Sequence, residues 1–114
     1  MPKSKLDPLP SAAFHILLAL ADDDLHGYAI MREIAELTQG RVRLGPGTLY
    51  SSIKTLLEAE LIEELDERPA EGEERRRYYH LTAGGRKLAR VEAERLADTL
   101  RLARAKRIFR GADV

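Results

Sequence analysis

From Phe14 to Leu20 the chain is almost uninterrupted in its apolar character. Phe14, Ile16, Leu17, Leu18 and Leu20 leave a helix here nearly without a polar face. Ser11 stands where an N-cap would, so the segment predicts a first helix running to about Ala21. A helix this apolar has to be covered on most sides. Two covers are open: the core of its own domain, or a second copy of the chain, which Phe14 and Leu17 would then meet.

Further along, DDDLHG (22–27) reads as a turn and cap region. Ile30, Ile34 and Leu37, at spacings of four and three, predict a second amphipathic helix ending near Gly40. RVRL (41–44) is short and β-branched in its middle and predicts a brief strand. Pro46 suits the first turn of a third helix, on which Leu49, Ile53, Leu56 and Leu57 form the buried stripe. LIEEL and RRRYYHL then read as two strands around DERPAEGEE, whose Pro69 and Gly72 favour a loop. Period two puts Arg77, Tyr79 and Leu81 on one face, and Leu81 marks that face as the inner one. From Thr82 a long helix is expected to about Phe109, with Ala89, Ala93, Leu96, Leu100 and Ala103 spaced as a heptad seam.

This order predicts a mainly α protein with a small β-hairpin: a winged helix-turn-helix plus a long C-terminal dimerisation helix. Residues 1–81 are expected to form the DNA-binding domain, 82–110 the dimerisation helix and 111–114 a tail. At 114 residues and 12.8 kDa one compact domain is the natural fit. Without cysteine there is neither a disulfide framework nor a thiolate zinc site. AAFHILLALA is too short and too soon interrupted to cross a bilayer, and the start leads into Pro and Asp rather than a long apolar run. The expectation is a soluble, cytoplasmic protein with no membrane partner.

Zero net charge argues at first against nucleic acid, whose partners usually carry a basic excess. The total hides an asymmetry. Residues 75–110 hold twelve Lys or Arg against three acids, whereas residues 1–74 hold seven against fifteen. Although 38 residues are charged, the third helix carries only Lys54 and no acid until Glu58. A surface meant for phosphate has to avoid carboxylates and offer hydroxyls and cations. Thr48, Tyr50, Ser51, Ser52, Lys54 and Thr55 are therefore the expected DNA contacts, with Arg75, Arg76 and Arg77 on the wing as a second set. The plainer readings are an ordinary polar helix face and a solvated charge run, the latter paired with Glu71, Glu73 and Glu74.

Chemistry has little footing. His15, His26 and His80 fall in different elements, TAGGRK lacks P-loop spacing, and no nucleophile elbow is present. Asp22, Asp23, Asp24 and His26 read as an acidic turn before a helix rather than as metal ligands, and no cofactor is implied. The competing reading from another class is a winged-helix protein-interaction module without DNA binding.

HGYAI (26–30), PGTLY (46–50) followed by Lys54 and LLE (56–58), the return strand RRRYYHLT and the pair Gly85-Arg86 together resemble the PadR family of bacterial transcriptional regulators, in its short branch with a single C-terminal helix. The resemblance implies a homodimer whose C-terminal helices pack between subunits, a palindromic operator in double-stranded DNA, and usually repression released by a small-molecule effector. It makes Tyr50 and Lys54 groove or phosphate contacts and Thr48 a cap or phosphate contact, Tyr79 and Leu81 structural residues, and Tyr28 either a packing residue of the second helix or one whose hydroxyl reaches the DNA backbone. Two departures stand out. Glu60 replaces the glycine common before LI, which predicts a looser turn, and no tryptophan is present to stack aromatic drugs between subunits.

Overall fold

The computed structural model describes residues 6, 8–65, 68–69 and 75–109. The helices are α1 (Ser11–Ala19), α2 (Gly27–Leu37), α3 (Pro46–Glu58) and α4 (Ala83–Ala105); the strands are β1 (Leu25–His26), β2 (Ile62–Glu64), β3 (Arg68–Pro69), β4 (Arg75–Arg76) and β5 (Tyr78–Leu81). The fold is mainly helical with a small antiparallel sheet of order β1-β5-β2, and β3 pairs with β4 farther along the same hairpin.

The core is where the apolar stripes converge. Ile16 and Leu17 of α1, Ile30 and Ile34 of α2, Leu49, Ile53 and Leu56 of α3, and Ile62, Tyr79 and Leu81 of the sheet are all buried together. Leu17 has no exposed surface. It is a core residue of its own chain, because α2, α3 and α4 close over α1. Phe14 is half-buried against the same core, and the outward apolar residue of α1 is Leu18.

Several local expectations give way to tertiary pairing. Pro10, not Ser11, is the N-cap of α1, and Ser11 begins the helix, its carbonyl accepting from His15 Nδ1 at 2.8 Å. RVRL forms no strand, and nothing pairs with it among the described residues; Thr38 Oγ1 accepts from the Val42 N–H at 3.0 Å and turns the chain instead. The first strand lies earlier, at Leu25 and His26, held by Tyr79 and Tyr78 of β5. Leu37 belongs to no buried stripe, being exposed at the end of α2. Glu60 sits at φ +60°, the left-handed position after a helix that glycine takes most easily. Leu61 N–H still reaches Leu56 O at 3.0 Å, so the turn is tight despite the side chain.

The root of α4 is built by three neighbouring residues. Thr82 caps it, its hydroxyl accepting from Gly85 N–H at 3.0 Å and donating to Glu60 O at 2.9 Å. A Cβ on Gly85 would lie 2.0 Å from the Leu61 carbonyl oxygen, so only glycine lets helix and turn approach this closely. Arg86 Nη2 donates to Ala21 O at 2.8 Å, fastening the end of the α1 region to the same root. Buried Glu92 then accepts from Arg95 Nε at 2.9 Å and from the Leu9 backbone N–H, which draws its carboxyl below the usual carboxylate range, the Arg95 hydrogen bond being the larger cause. Beyond Glu92, every residue from Ala93 to Ile108 is exposed except half-buried Ala103. No described helix is long and apolar enough to cross a membrane.

Candidate nucleic-acid interface

Burial along α3 defines which of its faces is free. Leu49, Ile53 and Leu56 are buried and Leu57 partly so, while Gly47, Thr48, Tyr50, Ser51, Lys54 and Glu58 are exposed. Ser52 and Thr55 are half-buried. With Ser51 they line a hollow against Leu6, Pro10 and Ala13, and Thr55 Oγ1 donates to Ser51 O at 3.1 Å. Ser52 and Thr55 thus flank the free face rather than occupy its centre, because the segment before α1 packs beside them. The centre carries Tyr50, Ser51 and Lys54, and Glu58 closes it one turn after Lys54.

Tyr50 is anchored as well as exposed. Its ring rests on Gly27, where a Cβ would meet the phenolic oxygen at 2.6 Å. Burial pushes the Tyr79 phenol above the ordinary tyrosine range, with Glu64 and then Tyr50 adding to the rise. HGYAI and PGTLY therefore interlock: His26 caps α2 by accepting from Ala29 N–H at 3.2 Å, Gly27 makes room, and Tyr50 fills it. His26 also meets the Tyr78 ring edge-on at 5.4 Å between centroids. The two motifs set the angle between α2 and α3.

On the wing, Arg77 is exposed and lies 3.2 Å from Glu64 Oε1. The backbone pairs Arg75 with Pro69 and Arg76 with Arg68, while the side chains of Arg75 and Arg76, like Glu71, Glu73 and Glu74, lie outside the described residues. Asp24 lies 2.7 Å from His80 Nδ1 and joins the turn before β1 to β5; no cluster of three or more metal-binding side chains occurs among the described residues. Of the seam residues of α4, Ala89 is half-buried against the core and Ala93, Leu96 and Leu100 are exposed.

Arg32 of α2 is not among the contacts expected from the sequence. Tyr28, expected either to pack on the second helix or to reach the DNA backbone, is exposed, and the Arg32 Cζ lies 5.6 Å from its ring centroid. The signal was present in Arg41 and Arg43 flanking the opening stretch of α3, but their relation to Arg32 is set by the turn at Gln39 and Gly40.

A helix pair with a free polar second helix, followed by a winged hairpin, defines a winged helix-turn-helix protein. Residues 16–91 match the Transcriptional regulator PadR-like family, and the chain belongs to that family. It is 42% identical over 82 residues to an uncharacterized 37.1 kDa protein in a transposon of Streptomyces fradiae, covering 72% of this chain but only 22% of that relative. Among solved structures, a transcriptional regulator from Clostridium thermocellum superposes with a TM-score of 0.71 at 27% identity, over 82% of this chain and 89% of that one. Bacillus subtilis PadR in complex with operator DNA shares the fold at a TM-score of 0.62 and 20% identity, over 70% of this chain and 45% of that one.

Proposed function

We propose that this PadR-family regulator binds double-stranded DNA as a homodimer, reads a palindromic operator with α3, and represses transcription until a small-molecule effector releases it. The observation that carries the reading is the free face of α3, where Tyr50, Ser51 and Lys54 stand exposed with no acid before Glu58. Thr48, Ser52 and Thr55 flank this face and touch backbone at its margins, and Arg75, Arg76 and Arg77 supply the wing contact. The operator complex of the Bacillus subtilis relative supports DNA as the partner.

Residues 82–110, expected as the dimerisation helix, contain α4, which pairs the two subunits in this reading. Its exposed Leu96 and Leu100, with Ala93 and Ala103 allowing close approach, support a two-fold pairing that sets two recognition helices about 34 to 36 Å apart. The effector, a small molecule between subunits, acts by changing that spacing. The location is cytoplasmic, beside the DNA.

Selection of duplexes from a random library, followed by a gel shift, tests the reading. Lys54→Ala is expected to weaken binding of the selected duplex by about 1 to 3 kcal/mol if it reads a base, or by a similar factor on every sequence if it holds phosphate. Unchanged affinity in both Lys54→Ala and Tyr50→Ala, with the fold intact, removes α3 from the interface and favours a protein-interaction module instead.

A further inference from the structure

Between α2 and the segment entering α3 lies a hollow of about 220 Å³ lined by Tyr28, Met31, Arg32, Ala35, Arg43 and Leu44. Its walls are apolar, and its charged lining groups are two guanidiniums. The Arg32 Cζ lies 5.6 Å from the centroid of the Tyr28 ring, a cation–π contact. Arg43 folds back over Gly40, its Nη2 only 2.9 Å from where a Cβ would stand, so the φ of +77° at Gly40 both turns the chain and makes room for the guanidinium. Neither arginine has a carboxylate partner among the described residues. Arg77, Arg95 and Arg101 each have one, and Arg86 is taken by a backbone carbonyl. Glu33 and Glu36 share α2 with Arg32, but neither lines the hollow.

We infer that the Arg32–Arg43 hollow is a clamp for one phosphate of the DNA backbone, next to the stretch that α3 reads; this rests on the DNA-binding reading above. Leu44 leads straight into Gly45, the N-cap of α3, and Tyr28 follows Gly27, on which Tyr50 rests. The hollow therefore adjoins the N-terminal end of the free face of α3. Guanidiniums suit phosphate because their planar donors match its oxygens two at a time. The contact with Tyr28 and packing over Gly40 hold them in place beforehand, which lowers the ordering cost of binding. Such a contact positions the protein and carries no sequence information.

The test uses the full chain, one duplex from the selection and one random duplex of equal length, with affinity measured by fluorescence anisotropy across a sodium chloride series. In Arg32→Gln/Arg43→Gln, the slope of log affinity against log salt is expected to fall by about 2 per dimer, since each neutralised phosphate contributes about 0.9. The loss should be the same factor on both duplexes, and Arg32→Lys/Arg43→Lys should keep the parent's slope. Arg32→Gln alone leaves the Gly40 turn untouched and should still lower the slope, which keeps the test decisive if the double variant does not fold. A parent slope in the glutamine variants, with Lys54→Ala still weakening binding, overturns the clamp alone and leaves the hollow to packing or to an acidic protein. A parent that binds no duplex at any salt concentration overturns the DNA-binding reading and the clamp together.

Discussion

α1 and the outer half of α4 both display rows of apolar residues, yet their surroundings are opposite. Ile16 and Leu17 are wholly buried by their own chain, whereas Leu96 is 41% and Leu100 38% exposed. The pattern of α1 has almost no polar face and that of α4 has a clear one, so the more apolar helix is the one more fully covered by its own chain. Hydrophobic patterning reports that a surface must be covered. It does not report which polypeptide covers it. The cover of α1 comes from α2, α3 and the root of α4, while α4 runs past the end of that core after Glu92.

The largest effect expected from breaking this contrast is on assembly. Leu96→Asp/Leu100→Asp should yield monomers by sedimentation and lose binding to a palindromic duplex at the same time. Helical content should also fall, because half a helix without tertiary contacts is marginal in water. A double variant that stays dimeric would show that the row on α4 is not the seam.

Leu17→Ala probes the other helix. Truncating a fully buried leucine should cost about 2 to 5 kcal/mol, read from urea unfolding at fixed protein concentration, while folded protein keeps the parent's oligomeric state. A loss of assembly without loss of stability would reverse the roles assigned to the two helices.

A smaller effect concerns Glu92, where the buried part of α4 ends. Its carboxyl is held below the usual range by Arg95 first and by the Leu9 N–H as well. A group with a depressed folded value contributes stability that is complete above its unfolded value, near 4.5, and is lost as pH falls through the lower folded value. Unfolding midpoints should therefore decline on acidification below about pH 4.5, and Glu92→Gln should flatten that decline. At neutral pH the same substitution should cost on the order of 1 kcal/mol, discounted because Arg95 is half-exposed. An acid limb identical to the parent's would mean that other carboxylates carry it.

The smallest change sharpens the picture at the root of α4. Glu60→Gly should stabilise the chain by up to about 1 kcal/mol, because it relieves a left-handed backbone position, and it should leave assembly unchanged. Destabilisation would show that the Glu60 side chain contributes more than its conformation costs.

Much of the free face of α3 is legible from local spacing. Leu49, Ile53 and Leu56 were placed in the core by periodicity alone, and that fixes Tyr50, Ser51 and Lys54 on the opposite side. The half-burial of Ser52 and Thr55 is not legible in this way, because the hollow they share with Leu6, Pro10 and Ala13 connects segments some forty residues apart. The buried Glu92 had no signal, since nothing in the sequence places the Leu9 N–H beside it.

By itself the sequence determined the helix periods, the hairpin with its inner face of Tyr79 and Leu81, and a third helix free of acid until Glu58. These are properties of residues a few positions apart, which one helical turn or one pleat brings together whatever the rest of the chain does. The tertiary structure alone decided that Leu25 and His26 form a strand, that Leu17 is core, that Gly85 lies against the Leu61 carbonyl, and that Arg32 and Arg43 share a hollow. Each of these joins residues from separate elements, and the choice among such contacts is made only when the whole core packs at once.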